Sequence, residues 1–253
     1  MTLEEAFSIK GREVVSLVGG GGKTTLMFAL GKELSPRRKG IILTTTTKIW
    51  APSPSPHYGF FLSDKISEMK KWIEKNLRRH PYLVIARERL ESGKLQGIDS
   101  SMVDEIFSIP GVSVIVVEAD GAAGRSLKAP REGEPVVPQS SSLLVPVVGI
   151  DVLGCPLDEQ HVFRAQIASR LLNRPIGSKV TEKIIASLFA IMIHDRPEGA
   201  RIIPFINKVD LPDGLEKAKN LAQVLLNLRN IGTERVILGQ VQHSLPVKDI
   251  LLR

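Results

Sequence analysis

The stretch that decides the fold runs from Val14 to Met27 and reads Val-Val-Ser-Leu-Val-Gly-Gly-Gly-Gly-Lys-Thr-Thr-Leu-Met. An apolar strand is followed by four glycines, and Lys-Thr-Thr then opens a helix that continues to Leu34. This order is typical of a phosphate-binding loop, because glycines let backbone N–H groups converge on an anion where a Cβ would collide. The helix N-terminus adds free N–H groups and the positive end of the helix dipole.

The loop residues have predicted roles with a nucleotide. The predicted phosphate-binding residues of this loop are Gly19, Gly20, Gly21, Gly22, Lys23, Thr24 and Thr25. Lys23 would reach the β- and γ-phosphates, and the Thr24 hydroxyl would be a ligand of Mg²⁺. The full pattern has a glycine six residues before the lysine, where this chain has Leu17. The shortened loop resembles that of Mur-type ligases as much as that of ordinary P-loop NTPases, and the alternative is a flexible glycine-rich turn.

Size and composition predict a single P-loop nucleotide-binding domain that covers residues 1–253. The chain is 43% hydrophobic, and no apolar run approaches the roughly 18 residues of a membrane span. The N-terminal segment is acidic and amphipathic, so it does not read as a secretory signal. The single Cys155 excludes a disulfide framework. We therefore expect a cytoplasmic protein with no membrane contact.

The net charge of +7 comes from 34 Lys and Arg against 27 Asp and Glu. The densest basic clusters, at 37–39 and 78–80, lie beside predicted helix ends, where cations complement the helix dipole. No nucleic-acid-binding motif accompanies them. We expect no nucleic-acid partner, and the positive charge suits a protein that binds polyanionic nucleotides.

Strands alternate with helices, which predicts a three-layer α/β fold like that of P-loop NTPases, with a mainly parallel sheet covered by helices on both faces. The predicted strands lie at 14–18, 41–50, 82–86, 112–117, 143–148, 201–206 and 235–241. The predicted helices lie at 23–34, 64–79, 101–107, 159–172, 181–190 and 214–228. Residues 51–58 and an insertion at about 122–142 are predicted to be irregular. Ligands of such folds bind at the carboxyl ends of the strands.

Two acids follow the apolar strand that ends at Val117. Glu118 and Asp120 stand where a Walker B carboxylate would hold Mg²⁺ and orient the attacking water. With Lys23 they are the predicted catalytic residues, and the alternative is that they bond only to a turn. The segment 118–121, Glu-Ala-Asp-Gly, also resembles the Glu-x-x-Gly switch of metallochaperone GTPases that serve nickel and cobalamin enzymes.

Four consecutive threonines end the strand that begins at Ile41. They offer hydroxyl or carbonyl oxygens at the ligand-binding edge, and Thr46 is predicted to join Thr24, Glu118 and Asp120 around the metal ion. The alternative is an ordinary polar strand end. The five histidines lack ligand spacing, so we predict no zinc site.

A guanine-recognition motif, Asn-Lys-x-Asp, follows the predicted strand 201–206. The Asp210 carboxylate would accept hydrogen bonds from N1–H and the exocyclic amine of guanine, whereas adenine has no proton at N1. Lys208 would lie along the base plane, and Asn207 would brace neighbouring loops. The sequence therefore favours GTP, with ATP as the alternative.

A segment rich in glycine and cations follows the acids. Arg125 and Lys128 are predicted to contact either the nucleotide phosphates or a second, anionic substrate, and the alternative is a solvated loop. Asp151 follows another strand and is expected to line the same cleft.

Several blocks of the chain resemble the YqeC family. They are Leu-Val-Gly-Gly-Gly-Gly-Lys-Thr-Thr at 17–25, Thr-Thr-Thr-Thr-Lys-Ile at 44–49, Val-Glu-Ala-Asp-Gly-Ala-Ala-Gly-Arg at 117–125 with Leu-Lys-Ala-Pro at 127–130, Glu-Pro-Val-Val-Pro at 134–138 and Val-Gly-Ile-Asp-Val-Leu-Gly at 148–154. The resemblance implies a cytoplasmic nucleotide-binding accessory protein of selenium-dependent molybdenum hydroxylases, with hydroxylase maturation proteins as partners. It implies no particular reaction.

Three functions are compatible with these patterns. The first is a Mg²⁺-dependent GTPase that hydrolyses nucleotide slowly while it assists insertion of a selenium or molybdenum cofactor into a hydroxylase. The second is an ATP-dependent small-molecule kinase or ligase that uses Arg125 and Lys128 on its acceptor. The third is a scaffold that binds nucleotide without turning it over.

Overall fold

The computed structural model describes residues 1–229 and 231–253. Its strands are β1 (Glu13–Gly19), β2 (Ile41–Thr45), β3 (Lys48–Trp50), β4 (Tyr58–Leu62), β5 (Tyr82–Ala86), β6 (Glu88–Arg89), β7 (Lys94–Gln96), β8 (Val114–Glu118), β9 (Leu127–Lys128), β10 (Leu143–Gly149), β11 (Val162–Phe163), β12 (Arg201–Ile202), β13 (Phe205–Asn207), β14 (Arg235–Gly239) and β15 (Val247–Leu252). Its helices are α1 (Leu3–Ala6), α2 (Lys23–Leu34), α3 (Ile66–Asn76), α4 (Ser100–Phe107), α5 (Ala165–Leu172), α6 (Glu182–Met192) and α7 (Gly214–Asn227), with a 3₁₀ turn at Ile150–Val152.

The main sheet has the order β4-β5-β2-β8-β1-β10-β13-β14-β15, with β12 also paired to β10. All of its pairings are parallel except that of β14 with β15. The predicted mainly parallel sheet is therefore confirmed. Because β1 lies between β8 and β10, the loop after β1 opens at the middle of the carboxyl edge of the sheet.

The strands are apolar without interruption because both faces of the sheet are covered. On β1, Val15 and Leu17 pack into the core that contains α1 and α2, whereas Val14 and Val18 pack into the core that contains α3 and α4. The core around α5, α6 and α7 covers the half of the sheet that includes β13 and β14. These layers confirm the predicted three-layer α/β class.

Several predicted boundaries are wrong. The strand 41–50 ends at Thr45, because β3 belongs to a separate antiparallel sheet with β7 and β6. The helix predicted at 159–172 begins only at Ala165, after Arg164 adopts a left-handed φ of 62°. The strand 201–206 is split at Pro204, which has no N–H to continue the ladder.

Six strands were not predicted, namely β4, β6, β7, β9, β11 and β15. The edge strand β4 directly follows the proline-rich segment, and β15 adds an antiparallel edge at the other side of the sheet. Within the insertion 122–142, two residues form β9 and pair in parallel with β11. No described helix is both long and apolar enough to cross a membrane.

Candidate functional site

The loop between β1 and α2 is packed so closely that none of its four glycines has room for a side chain. An added Cβ would lie 2.4 Å from Val147 O at Gly19 and 2.6 Å from Arg125 O at Gly20. At Gly21 it would lie 2.1 Å from the nitrogen of Gly149, and at Gly22 it would lie 2.4 Å from Asn207 Nδ2. The glycine run is therefore required by close backbone approach.

The backbone amides of this loop divide into two groups. Gly19 N donates to Asp120 Oδ2, Gly20 N to Val147 O and Gly21 N to Arg125 O, each at 2.9 Å. The sequence predicted these glycine amides as anion donors, but in this conformation they are satisfied inside the protein. The first helical hydrogen bond of α2 runs from Leu26 N to Gly22 O, so the four amides before it, those of residues 22–25, lack a helical partner. The first turn of α2 thus supplies the available donors.

Lys23 lies between the two predicted acids. Its Nζ is 3.1 Å from Asp120 Oδ1 and 3.6 Å from Glu118 Oε1, and its side chain is only 3% exposed. It also donates to the carbonyl of Gly19. The Thr24 hydroxyl donates to Glu118 Oε2 at 2.6 Å. The structure therefore brings together four residues that the sequence predicted for catalysis and metal binding.

The charges of this cluster influence one another. Burial works to lower the pKa of Lys23, but Asp120 and Glu118 together outweigh it, and the pKa rises above its ordinary value. Burial raises the pKa of Glu118, although Lys23 and the Thr24 hydroxyl oppose that rise. Asp120 Oδ1 has no hydrogen-bond partner among the described residues, since Lys23 approaches it without hydrogen-bond geometry. The ammonium is thus retained in a buried pocket that leaves one carboxylate oxygen unsatisfied.

Lys128 does not lie in the cleft, although the sequence predicted it as an anion contact. It is fully buried, with its Nζ 3.3 Å from Asp120 Oδ2 and 2.6 Å from Glu134 Oε2. Arg164 donates to both oxygens of Glu134, at 2.6 and 2.9 Å. Burial works to raise the pKa of Glu134, but the hydrogen bonds from Arg164 and Lys128 prevail and lower it to about 2. Lys128 is therefore an internal counterion in this conformation.

The Asn-Lys-x-Asp motif contacts the phosphate loop directly. Asn207 Nδ2 donates to Gly21 O at 2.8 Å, and its Oδ1 accepts from Val241 N at 3.0 Å. Asn207 thereby joins the loop after β1 to the loop after β14. Asp210 reaches the cleft with its Oδ2 3.3 Å from His243 Nε2.

Lys208 is held by two residues that the sequence did not connect with it. Its Nζ donates to Asp151 Oδ2 and to Ser126 Oγ, both at 2.7 Å. The sequence placed Asp151 at the cleft only because it follows a strand, and nothing in the pattern indicated its partner. Ser126 carried no signal of its own.

Most of the predicted site residues line a cleft of about 640 Å³, but Gly19, Gly20 and Asp120 do not. The side chain of Asp120 is fully buried behind Lys23, so the structure does not place this predicted metal ligand at the cleft surface. The lining of the cleft includes the start of α2, Glu118 and Arg125, together with Asn207, Lys208, Asp210 and residues 240–243. Thr46 is not among its lining residues, and its hydroxyl donates to Val136 O at 2.8 Å. A third wall, made of Lys48, Trp50 and Lys94, was missed, because no motif joins these residues along the chain.

Thr24 and Glu118 are the residues of the cleft that fit Mg²⁺, which prefers hard oxygen ligands. Their direct hydrogen bond shows that a hydroxyl and a carboxylate oxygen face the same point. The described residues form no group of three or more His, Cys, Asp or Glu that could hold a metal ion. Such a magnesium ion would therefore take its other ligands from phosphate and water, as Mg²⁺ does in many nucleotide sites.

Comparison with known proteins finds a relative that covers most of this chain and a family model that covers more than half of it. The YqeC protein of Escherichia coli (strain K12) is 29% identical over 236 residues, which are 90% of this chain and 88% of that relative. The family model described as "YqeC protein" matches residues 15–166, more than half of the chain. The match contains the phosphate loop, both acids and the Lys128–Glu134–Arg164 cluster, and it ends before Asn207. The chain belongs to the YqeC family.

Proposed function

We propose that this protein binds a nucleoside triphosphate together with Mg²⁺, prefers guanine to adenine, and hydrolyses the nucleotide slowly. One observation carries the proposal: the start of α2, Glu118 and Asp210 all line one cleft of about 640 Å³. The start of α2 would bind phosphates, Glu118 a metal ion and Asp210 a guanine base. One nucleotide would need all three kinds of group at separate positions of the same cleft.

The phosphates would be bound by the first turn of α2. The amides of residues 22–25 precede the first helical hydrogen bond, and the helix dipole adds a favourable potential. Lys23, now held by Glu118 and Asp120, would turn towards the phosphates. Asp120 would not then be left as an unpaired buried charge, because Lys128 lies 3.3 Å from its other oxygen.

The acids would assist hydrolysis. Thr24 and Glu118 are the proposed magnesium ligands, and a bound Mg²⁺ would neutralise charge on the phosphates. Glu118, which lines the cleft, would orient the attacking water, whereas the buried Asp120 would position Lys23.

The base would be read by Asp210. Its carboxylate is partly exposed at the cleft, and the only described side chain within salt-bridge distance of it is that of His243, itself about half exposed. A guanine base could displace this weak contact and supply two donors. Asn207 couples the base end to the phosphate end, since it bonds to Gly21 O.

The biological role is proposed from the resemblance of the sequence blocks to accessory proteins of selenium-dependent molybdenum hydroxylases. Nucleotide-dependent ordering of the loops around the cleft would control delivery of a labile selenium or molybdenum cofactor to the hydroxylase. The partners would be other hydroxylase maturation proteins, acting in the cytoplasm.

An ATP-dependent kinase or ligase is the second candidate. It is favoured by Arg125, which lines the cleft, and by the shortened loop with Leu17 in place of the first glycine. In that case a second, anionic substrate would accept the phosphoryl group. A non-catalytic scaffold would bind nucleotide in the same cleft without either reaction.

A thermal-shift panel tests the proposal, because added stability tracks affinity for the folded state. GTP, ATP, GDP and ADP are compared with and without Mg²⁺, and phosphate release is measured in parallel. We expect the largest shift with Mg²⁺ and GTP, its loss in Lys23→Ala, loss of the Mg²⁺ effect in Thr24→Val and recovery of that effect in Thr24→Ser. Turnover only with ATP and an added acid acceptor would favour the kinase or ligase. No shift with any nucleotide would refute the assignment.

A further inference from the structure

The third wall of the cleft is an exposed aromatic and cationic surface. In β3, Lys48 and Trp50 are exposed while Ile49 is buried, as expected when alternate residues of a strand face opposite sides. Trp50 is 65% exposed, which is unusual for so large an apolar side chain. Lys94 of β7 pairs with Trp50 in register, and its Nζ lies 4.9 Å from the centroid of the indole ring. We call Lys48, Trp50 and Lys94 the tryptophan wall.

The tryptophan wall has a fixed position at the cleft. The inward residues Ile49 and Leu95 belong to the core that contains α2. Ile98 N donates to Thr45 O at 2.9 Å, and a Cβ at Gly97 would lie 2.4 Å from the same oxygen. The small sheet of β3, β7 and β6 is therefore attached to the carboxyl end of β2. The buried residues Ile49 and Leu95 on its inner face hold the exposed indole beside the cleft.

The charges of the tryptophan wall are uncompensated within the described part of the chain. Neither Lys48 nor Lys94 has an acidic partner among the ion pairs of residues 1–229 and 231–253. By contrast Lys23 and Lys208, which also line the cleft, are each paired with a carboxylate. Two ammonium groups without a carboxylate partner, one of them against an exposed indole, fit an anionic ligand with a π-face.

We propose that the tryptophan wall is a second binding site of the cleft, for a planar heteroaromatic ligand that carries phosphate or carboxylate groups. The ring would stack on Trp50, and the anionic groups would contact Lys48 and Lys94. The nucleotide base is already accounted for by Asp210, on different lining residues. That the ligand is a second molecule, distinct from the nucleotide, rests on the proposed function, whereas the stacking and charge contacts of the tryptophan wall do not.

Flavin mononucleotide, riboflavin and inorganic phosphate are suitable probes, because the first carries both ring and phosphate, the second the ring alone and the third the phosphate alone. Flavin fluorescence is quenched on stacking against an indole, so titration of the full-length protein, with Mg²⁺ and excess GTP present, reports on this site. We expect saturable quenching by flavin mononucleotide, weaker binding of riboflavin and competition by phosphate only at high concentration. Trp50→Ala should weaken binding by about 5- to 150-fold, the range for stacked bases, while Trp50→Phe keeps part of it.

The two other wall residues and the second tryptophan supply controls. The double substitution Lys48→Ala and Lys94→Ala should remove most of the salt dependence of binding. Trp72→Phe should change nothing, because Trp72 stacks on Phe61 at 4.9 Å and does not line the cleft. Lys23→Ala should retain flavin binding, so that failure of the nucleotide proposal and failure of this one are distinguishable.

Three outcomes would overturn the second site. One is absence of saturable flavin mononucleotide binding in the wild type. Another is equal affinity in Trp50→Ala, with an unchanged melting temperature. The last is complete displacement of the flavin by GTP at the concentration at which GTP itself binds. That result would mean that the flavin occupies only the nucleotide site.

Discussion

Lys128 and Lys23 share one buried carboxylate, that of Asp120. Lys128 Nζ lies 3.3 Å from Oδ2, and Lys23 Nζ lies 3.1 Å from Oδ1. The same Oδ2 accepts the amide of Gly19, at the point where β1 gives way to the phosphate loop. Asp120 therefore connects the loop to the buried cluster of Lys128, Glu134 and Arg164. One lysine can leave this carboxylate while the other stays.

Replacing Lys128 by methionine should be strongly destabilising. The substitution keeps most of the side-chain volume but leaves Asp120 and Glu134 short of a buried counterion. Loss of one partner from a buried ion cluster costs about 3–5 kcal/mol, and we expect the lower end because Lys23 and Arg164 remain. Urea unfolding followed by circular dichroism measures the loss.

Arg131 provides the matched control for this substitution. It also contacts Glu134, at 3.0 Å, but its side chain is 66% exposed. Arg131→Met should cost no more than about 1 kcal/mol, as is usual for exposed pairs. Equal losses of unfolding free energy in the two variants would show that the burial of Lys128 does not determine how much this lysine stabilises the fold.

Glu134 should make stability depend on pH in the acid range. Its pKa is about 2 in the folded protein and 4.5 as the ordinary value, so the folded state favours the ionised form. The contribution of ionised Glu134 to the free energy of unfolding is present in full above pH 4.5, and it is lost as the pH falls from there to about 2. Glu134→Gln should flatten this part of the profile in urea unfolding. Glu132→Gln, an exposed change on the same segment, is the control, and a similar flattening there would contradict the assignment.

The parts of the site that were predictable are those encoded in contiguous residues. The glycine run, the acids at the end of β8 and the Asn-Lys-x-Asp segment each carry their chemistry in a few adjacent positions, and the alternation of apolar strands and helices predicted the layers. Strand ends then place these segments on one edge of the sheet. This logic needs no knowledge of pairing between distant residues.

The parts that were missed depend on pairing across the fold. Arg164 meets Glu134 from thirty positions away, through a left-handed backbone that the helical pattern at 159–172 concealed. A fully buried lysine is rare, so Lys128 was assigned to solvent or ligand. The acceptors of the Gly20 and Gly21 amides are backbone carbonyls, which no side-chain pattern encodes. The partly exposed edge strand β15 lacks a clear alternation of buried and exposed residues.

Gly21→Ala should damage the fold as well as the site. Gly21 has φ +76°, and an added Cβ would lie 2.1 Å from the nitrogen of Gly149, so strain and collision act together. We expect a loss well above the roughly 1–3 kcal/mol of backbone strain alone, or failure to fold. Gly133→Ala separates the two effects, because Gly133 has φ +74° with nothing within 4 Å of the added atom. Equal melting temperatures for the two variants would disprove the close packing of the loop.

Asp210→Asn should change which base is bound. A carboxylate can accept from N1–H and the amine of guanine, whereas an asparagine amide can donate to the 2-oxo group of xanthine. Hydrogen bonds to charged groups contribute about 1.5–3 kcal/mol, so affinity for GTP should fall about tenfold or more while affinity for xanthosine triphosphate rises. Binding of both nucleotides is measured by calorimetry at equal Mg²⁺, with ATP as the internal control.

The phosphate contacts are unchanged by this substitution, so a uniform loss of affinity for all three nucleotides would indicate damage to the loop after β13. If the ratio of the affinities for GTP and xanthosine triphosphate is unchanged, guanine recognition is removed from the proposed function. The ATP-dependent alternative is then favoured.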